Sequence, residues 1–483
     1  MGGYNNTPMK IKYRHLLVIC LTLTLSGLAF AEPNEDARVK QRVTDVFSQQ
    51  YQVQRLLEIE AALARIQADL GIIPDWAAEE LTKKAQVSYV PLDQLAAEQT
   101  RVQHSMVSLL NIWQLSIEGG AEEYMHFGAT TVDIFNTALM LQLHDASALL
   151  LEQLRQLENI MIRLAEEHKA TPMMGRTLGQ HALPITFGKK VSTWLGENRR
   201  NIERLKIVRS QIAQSSIMKG AVGSYLGLGE QGMEIERGVA RELGLGTPIV
   251  SDWNAARDVL ADYALTLALI SKSYGRIGNE LFLLTMTDIG ETEEILPKTV
   301  VGSSTMPHKK NPKMPDKLIQ YSRLIPRLAE VVLEDVVNSF ERDESGGTRV
   351  IIEEITIETA SMLDDATYLL SNLRVKTEVM KVNLSKTRGL IMTQRITFAL
   401  ADKIGKTTAN TRMHEVALLA LRANISLREA IDRTPDIAQH FSGEQLDQLL
   451  DATTYLGLAV KQVDAVIAYC REQQHAEKQM PPI

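Results

Sequence analysis

Between Leu260 and Leu284 apolar residues recur at alternating steps of three and four. Leu260, Tyr263, Leu267, Ile270, Tyr274, Ile277, Leu281 and Leu284 form the series. Four heptads of this pattern admit one regular structure, an α-helix whose apolar stripe packs along another helix, with a left-handed crossing of roughly 20°. At 1.5 Å per residue the rod is about 40 Å long. The two tyrosines in the seam read as core. A second seam, Leu143, Ala146, Leu150, Leu157, Ile160 and Leu164, is interrupted at Gln153 and ends before Pro172. Aromatics make up 5% of the chain, while Leu, Ala, Ile and Met abound. That balance favours helix packed on helix over sheet. With 483 residues, two or three units and a large core are expected.

Shortly after this rod the chain reads GSSTMPHKKNP, Gly302 to Pro312. Pro307 and Pro312 exclude regular helix, and Gly302 is read as allowing unusual backbone angles. The result is a shaped loop carrying two hydroxyls, an ammonium and an amide. Such a loop suits holding a carboxylate and removing a proton beside it. Read without other context, it is a capped connection between helices with its lysine in solvent.

The loop resembles the signature of the fumarase/aspartase superfamily, the class II fumarate lyases. Further blocks resemble its adenylosuccinate lyase and 3-carboxy-cis,cis-muconate cycloisomerase branch, over about residues 42 to 470. The resemblance implies an all-α, three-domain L-aspartase-like fold: an N-terminal helical domain (32–126), a central long-helix bundle (127–373) and a C-terminal helical domain with a polar tail (374–483). It also implies a homotetramer built on the central helices, with each active site drawn from three subunits. Ser303 then falls on the catalytic base, and Ser304, Lys309 and Asn311 on substrate-binding positions.

The other blocks come in chain order. LLEIEAALARIQADLGIIP puts Leu56, Ile59, Ala62, Ile66 and Leu70 on one stripe that stops at Gly71 and Pro74. His104 precedes a helix expected to turn Val107, Leu110 and Trp113 inward. It is either a structural histidine or, by resemblance, a substrate contact and catalytic candidate. HFGATTVDIFNT, from His126, resembles a segment that gives hydroxyls to substrate carboxylate, with Thr130 and Thr131 on those positions. The same residues with Asp133 make a helix N-cap, which also suits anions. Val132 stands where the branch has glutamine. In GRTLGQHALPITFGKK, Thr177 and Gln180 match carboxylate-binding positions. Leu178 replaces the histidine that serves as general acid in fumarases and adenylosuccinate lyases. His181, three residues on, either substitutes for it or is a loop histidine at an interface.

KGAVGSYLGLG, from Lys219, lacks the GK[ST] of a phosphate loop and is read as permitting close packing near the site. SDWNAARD places Arg257 at a helix start, either to reach a carboxylate or to pair with neighbouring acids. FERDESGGTR resembles the branch's HERD segment, with Phe340 for histidine, Arg342 retained as a substrate-binding candidate, and the following serine-rich pattern shortened to Ser345–Arg349. That shortening weighs against a nucleotide substrate.

The chemistry implied is anti β-elimination from a di- or tricarboxylate. Ser303 takes a proton, an aci-carboxylate forms, and the leaving group departs from the adjacent carbon. Without histidine at 178, a carboxylate or a lactone-type oxygen is favoured over an amine as leaving group, unless His181 or His104 supplies the proton. The alternatives are adenylosuccinate lyase itself, a C–N lyase releasing fumarate, and a non-catalytic scaffold on the same fold. No cofactor or metal is implied, since no Cys/His cluster has metal-ligand spacing. A formal charge of −7 argues against nucleic acid as partner. Lys10, Lys12 and Arg14, the apolar run Leu16–Leu28 and Ala29-Phe30-Ala31 read as a signal peptide over 1–31, hence export to a compartment such as the periplasm, with no membrane association after cleavage. Cys20 and Cys470 are the only cysteines; after cleavage Cys470 is alone and reads as a structural thiol.

Overall fold

The computed structural model describes residues 35–297, 299, 302–343 and 348–479. The leader with Cys20, the segment Ser345–Gly347 and residues 480–483 lie outside the described residues. Long helices dominate, as the expected all-α architecture requires. Helix α1 is Glu35–Val46 and α2 is Gln49–Asp69. The central rods are α3 (Thr131–Glu167), α4 (Phe187–Gln214), α5 (Asp258–Leu284), α6 (Lys313–Glu334) and α7 (Thr348–Ser371). The C-terminal α8 is Ala459–Gln479. Two antiparallel ribbons complete the frame: β1 (Pro172–Thr177) with β2 (Gln180–Thr186), and β3 (Thr292–Glu294) with β4 (Leu373–Val375).

The seam of α5 is buried as its spacing requires. From Tyr263 to Leu284 every seam residue lies in the core, and Leu260 is half-buried. The two seam tyrosines keep their hydroxyls satisfied: Tyr263 Oη lies 2.9 Å from Thr356 Oγ1, and Tyr274 donates to Asn198 Oδ1 at 2.6 Å. In this way a polar atom enters the core without an unmet hydrogen bond. The interruption in the α3 seam, Gln153, is also buried and donates to the Ala360 carbonyl at 3.0 Å, joining α3 to α7.

Helices α5 and α6 approach most closely at two glycines. A Cβ on Gly275 would lie 2.2 Å from the Ser322 Cβ, and one on Gly278 would lie 2.7 Å from the Leu318 Cβ. A residue with a side chain would push the rods apart.

Three large hydrophobic clusters, beside two small ones, divide the described residues. The largest fills the central bundle but also takes Val39 and Val43 from α1, and Val463, Ile467 and Cys470 from α8. A second joins α2 and its neighbours to the first turns of α3 and to residues 213–245. The third, from Ile396 to Leu446, is a small C-terminal unit of short helices.

Two expectations need correction. The helix after His104, Ser105–Trp113, turns Met106, Leu109 and Trp113 inward, while Val107 is exposed. His104 caps this helix by accepting the Val107 N–H, and so fixes the rotation of the first turn. The polar C-terminal stretch from Gln473 is helical through Gln479. Its polar residues face a buried partner. Arg199, 1% exposed, is paired with Glu158 and with Glu477 at 2.6 Å, and Gln474 donates to Glu158 at 2.7 Å. Cys470 lies beside Glu158, and burial pushes its thiol up to about 12.

Gly275→Ala should destabilise the fold by about 1–2 kcal/mol, because overpacking costs about 1–3 kcal/mol and exceeds the gain in helix propensity of about 1 kcal/mol. Gly196→Ala in α4 has no such neighbour, the nearest atom being the end of Arg200 at 3.8 Å. It should stabilise by up to about 1 kcal/mol. Denaturant midpoints of the two variants against wild type check the opposite signs.

Candidate active site

The bundle rods run up and down, so each end collects loops from several of them. Thr131 opens α3, Ser215 follows α4, Val259 and Leu260 begin α5, Asp335 follows α6, and Thr348 and Arg349 begin α7. All of these line one cavity of about 360 Å³. Thr285, just past the other end of α5, lines a second cavity of about 390 Å³, together with Gly302, Lys309, Asn311 and Pro312. No residue lines both. The intervening 27 residues of α5 put about 40 Å between them. The residues singled out from sequence therefore fall at two ends of one rod.

At the first end, Thr130 is the N-cap of α3 in a reciprocal capping box with Asp133. Asp133 is fully buried and accepts three backbone N–H groups, from Thr130 at 3.0 Å, Lys219 at 3.0 Å and Gly220 at 2.8 Å. This one carboxylate ties the Thr130–Thr131 segment to the glycine-rich loop. Burial raises its pKa against the pull of those three donors. The loop is glycine-rich because backbones and rings pass close. A Cβ on Gly227 would lie 2.5 Å from the Gly128 carbonyl oxygen, and one on Gly223 would lie 2.8 Å from the Trp253 ring. His126, at φ +54, faces Glu60 with Nδ1 2.7 Å from Oε1 and its own N–H on Oε2. Burial opposes its protonation, yet the Glu60 carboxylate, helped by Asp133, holds the imidazole above its ordinary range.

Val132, Ile217 and Trp253 form a separate apolar floor to this cavity. Arg342 lines it as well. Arg257 lies there too, but its guanidinium is already engaged. It donates to the Asn254 carbonyl at 3.3 Å, the Asp335 carbonyl at 3.2 Å and Asp343 Oδ1 at 2.9 Å. Its acid partners are thus Asp335 and Asp343, from distant segments, and not the surroundings of Asp258. His104 is exposed, one residue before Ser105 on the cavity wall.

At the second end, the β1–β2 hairpin projects Thr177, Leu178, Gly179 and Gln180 into solvent, with His181 half-buried at its base. Leu178 sits at φ +50 with its side chain fully exposed, 101%. Burial, with Arg176 and Lys386 nearby, pushes the His181 imidazole below its ordinary range, which favours the neutral ring. The hairpin is held from below by Arg176. Its two terminal nitrogens reach Glu291, itself fully buried, at 3.0 and 2.7 Å.

Beside it the Gly302–Pro312 loop closes on itself. Gly302 is there for a close approach and not for its backbone angle: its φ is not positive, and a Cβ would lie 2.7 Å from the Lys309 carbonyl oxygen. Ser303 Oγ accepts the Met306 N–H at 3.2 Å, and the Lys309 N–H returns to the Met306 carbonyl at 3.0 Å. Ser303 is half-buried, while Ser304, Lys309 and Asn311 are exposed. The cavity wall carries four cations, Lys309, Lys310, Arg374 and Lys376, against Glu293 and Glu294. That surplus draws anions. Sequence reasoning missed Lys310, Arg374, Lys376 and the glutamates of β3. The one signal was the run GETEE at 290–294, whose partners are set by tertiary structure.

The arrangement offers anion-holding hydroxyls and cations, and a serine whose oxygen already receives a backbone N–H. Comparison with known proteins agrees with these blocks. Residues 34–326 match the family described as "Lyase", and residues 389–466 match "Adenylosuccinate lyase C-terminus". The chain is 36% identical over 434 residues to adenylosuccinate lyase of Methanocaldococcus jannaschii, covering 89% of this chain and 94% of that one. It is 35% identical to N-acetyl-S-(2-succino)cysteine lyase of Dickeya dadantii, covering 88% and 93%. Among solved structures it is similar to the 3-carboxy-cis,cis-muconate lactonizing enzyme of Pseudomonas putida, with TM-score 0.82 and 30% identity over 90% of this chain and 98% of that one. The chain belongs to the lyase family of the fumarase/aspartase superfamily, in the branch of the adenylosuccinate lyases and carboxymuconate cycloisomerases.

Proposed function

We propose that the protein is an exported lyase that performs anti β-elimination on a substituted succinate, with Ser303 as base and a leaving group that departs as an anion. The carrying observation is the closed signature loop, in which Ser303 Oγ holds a backbone N–H while Lys309 and Asn311 stand free for a carboxylate on the same turn. A C–H beside a carboxylate is weakly acidic. Cations and hydroxyls on that carboxylate stabilise the dianionic aci-carboxylate that forms on deprotonation. The Met306 N–H stabilises the serine alkoxide that must take the proton.

Leu178 supports the choice of leaving group. It occupies the place of the family acid and cannot donate a proton, and His181 is held towards its neutral form. Thiols have pKa values near 8.5 and carboxylic acids near 4, so both give stable anions, whereas a neutral nitrogen would have to leave as a far more basic amide anion unless an acid protonates it. A thiolate or carboxylate therefore leaves without the missing acid. The names of two relatives fit this order, a succinocysteine lyase and a lactonizing enzyme, and so does the shortened segment after Arg342. Adenylosuccinate lyase activity is the second reading, favoured by the overall similarity to that enzyme.

A complete site needs more than one chain, since Thr131 and Ser303 are separated by the length of α5. The proposed assembly is a homotetramer in which rods of neighbouring chains run in opposite directions, so that the Thr131 end of one meets the Ser303 end of another. Leu265 and Leu269 on α5 and Leu324 and Val331 on α6, each more than 40% exposed, are apolar surface available to it.

Two measurements test this. Ser303→Ala and Thr131→Val should each lose about 10²-fold or more in kcat, and mixed hetero-oligomers of the two should recover activity that neither has alone. No recovery after subunit exchange would show the site to be confined to one chain. A panel of succinates bearing S-, O- and N-linked groups, followed by ultraviolet absorbance of the unsaturated product, should show turnover of the S- or O-linked members. Leu178→His should add activity on the N-linked ones. Wild-type turnover confined to N-linked substrates overturns the leaving-group assignment.

A further inference from the structure

The short strand β3 lies between α5 and the signature loop, and each of its neighbouring glutamates has a different task. Glu291, just before β3, holds Arg176 at the base of the hairpin that bears Thr177, Gln180 and His181, and also accepts from Asn383 at 2.7 Å. Glu294 accepts the Lys313 N–H at 2.8 Å and the Met314 N–H at 3.2 Å. These are the first two residues of α6, and Pro312 before them has no side chain able to cap. Glu294 is thus the missing cap, supplied from a distant strand. Glu293 points the other way, as adjacent strand residues do, and reaches Lys310 at 2.8 Å, Arg374 at 3.3 Å and Lys376 at 3.2 Å. Lys310 is its leading partner and, with Lys376, pulls the Glu293 carboxyl down to about 2.

Lys309 and Asn311 flank Lys310, and Lys313 follows two residues after Asn311. The segment that would grip the carboxylate is therefore pinned in its middle by Glu293 and at its end by Glu294. The first pin also fixes it to β4.

We infer that Glu293 and Glu294 are positioning residues for the substrate carboxylate: they hold Lys309 and Asn311 in place between β3 and the start of α6. This rests on the proposed function for the role of Lys309 and Asn311, and goes beyond it in assigning work to residues that touch no substrate. The geometry of a site matters steeply, since a displacement of about 1 Å can cost about 10²-fold.

The sign of the effect separates this from a simpler role. If Glu293 were only a counter-charge, Glu293→Gln would make the cavity more positive and tighten anion binding, while Lys310→Gln would weaken it. As a positioning pair, both substitutions must weaken binding. The probe is fumarate, titrated against the full-length protein by calorimetry, with Lys309→Ala as control. The expected result is a Kd for fumarate raised about tenfold or more in both Glu293→Gln and Lys310→Gln, with faster amide hydrogen exchange across 309–314 and thermal midpoints within a few degrees of wild type. Glu293→Asp should recover part of the affinity. Tighter binding by Glu293→Gln, or unchanged exchange in it, overturns the inference. So does unchanged affinity in Glu293→Gln while Lys309→Ala loses binding. If wild type and Lys309→Ala bind fumarate equally poorly, the reading of Lys309 fails instead, and the exchange data alone decide whether β3 holds the segment.

Discussion

The close crossing of α5 and α6 governs the rest of the molecule. Two glycines, Gly275 and Gly278, bring the rods to a distance that no side chain at those positions would allow. Long helices packed this tightly behave as struts. Both cavities that carry the candidate residues lie at the ends of these rods. Buried hydroxyls on Tyr263 and Tyr274 and the amide of Gln153 lock the rotation of the struts, since each must meet one particular partner on a neighbouring helix. What stands at each end follows from where the rods begin and stop.

Much of this was legible in the sequence, for reasons that differ by residue. The α5 seam was readable because a three-four spacing over four heptads leaves a single outcome. The signature loop was readable because its prolines forbid helix and its residues match a family pattern. Gly302 was read for the wrong property: the sequence shows a glycine, but only the folded loop shows the Lys309 carbonyl against it. Val107 was misassigned because a cap at His104 sets helix phase more finely than hydrophobic spacing does. The polar residues after Gln473 looked like a solvated tail. Their partner Arg199 lies more than 270 residues away, and no local pattern signals a buried ion pair at that separation. The same holds for Asp133, whose three backbone donors come from two segments, and for the glutamates of β3.

Leu178 and Phe340 repay comparison. Each stands where the branch carries histidine, each has a positive φ, +50 and +58, and each exposes nearly its whole side chain, 101% and 90%. A left-handed backbone is uncommon for bulky residues, and exposed apolar side chains gain nothing from water. Each puts an apolar side chain where the resemblance places a titratable ring, Leu178 at the hairpin end and Phe340 two residues before Arg342 at the other. Both replacements remove a proton donor and leave the anion-holding groups untouched. On the proposed elimination, the chain keeps the groups that stabilise a carbanion and lacks two that could protonate a leaving group, which favours substrates whose leaving group needs no proton.

That selection bears on how charge is arranged at the second end. A site that must stabilise an aci-carboxylate and release a second anion needs positive potential in excess of its own carboxylates. Around the signature loop the wall carries four cations and two glutamates. Both glutamates are committed, Glu293 to cations and Glu294 to helix N–H groups. Lys310 and Lys376 hold the Glu293 carboxyl well below the usual carboxylate range, which favours the charged form that clasps Lys310. The excess charge that draws the substrate and the fixed charges that aim the loop are thus supplied by neighbouring residues of one short stretch. Lys309 can stay exposed for the ligand because Lys310 beside it is spent on the frame.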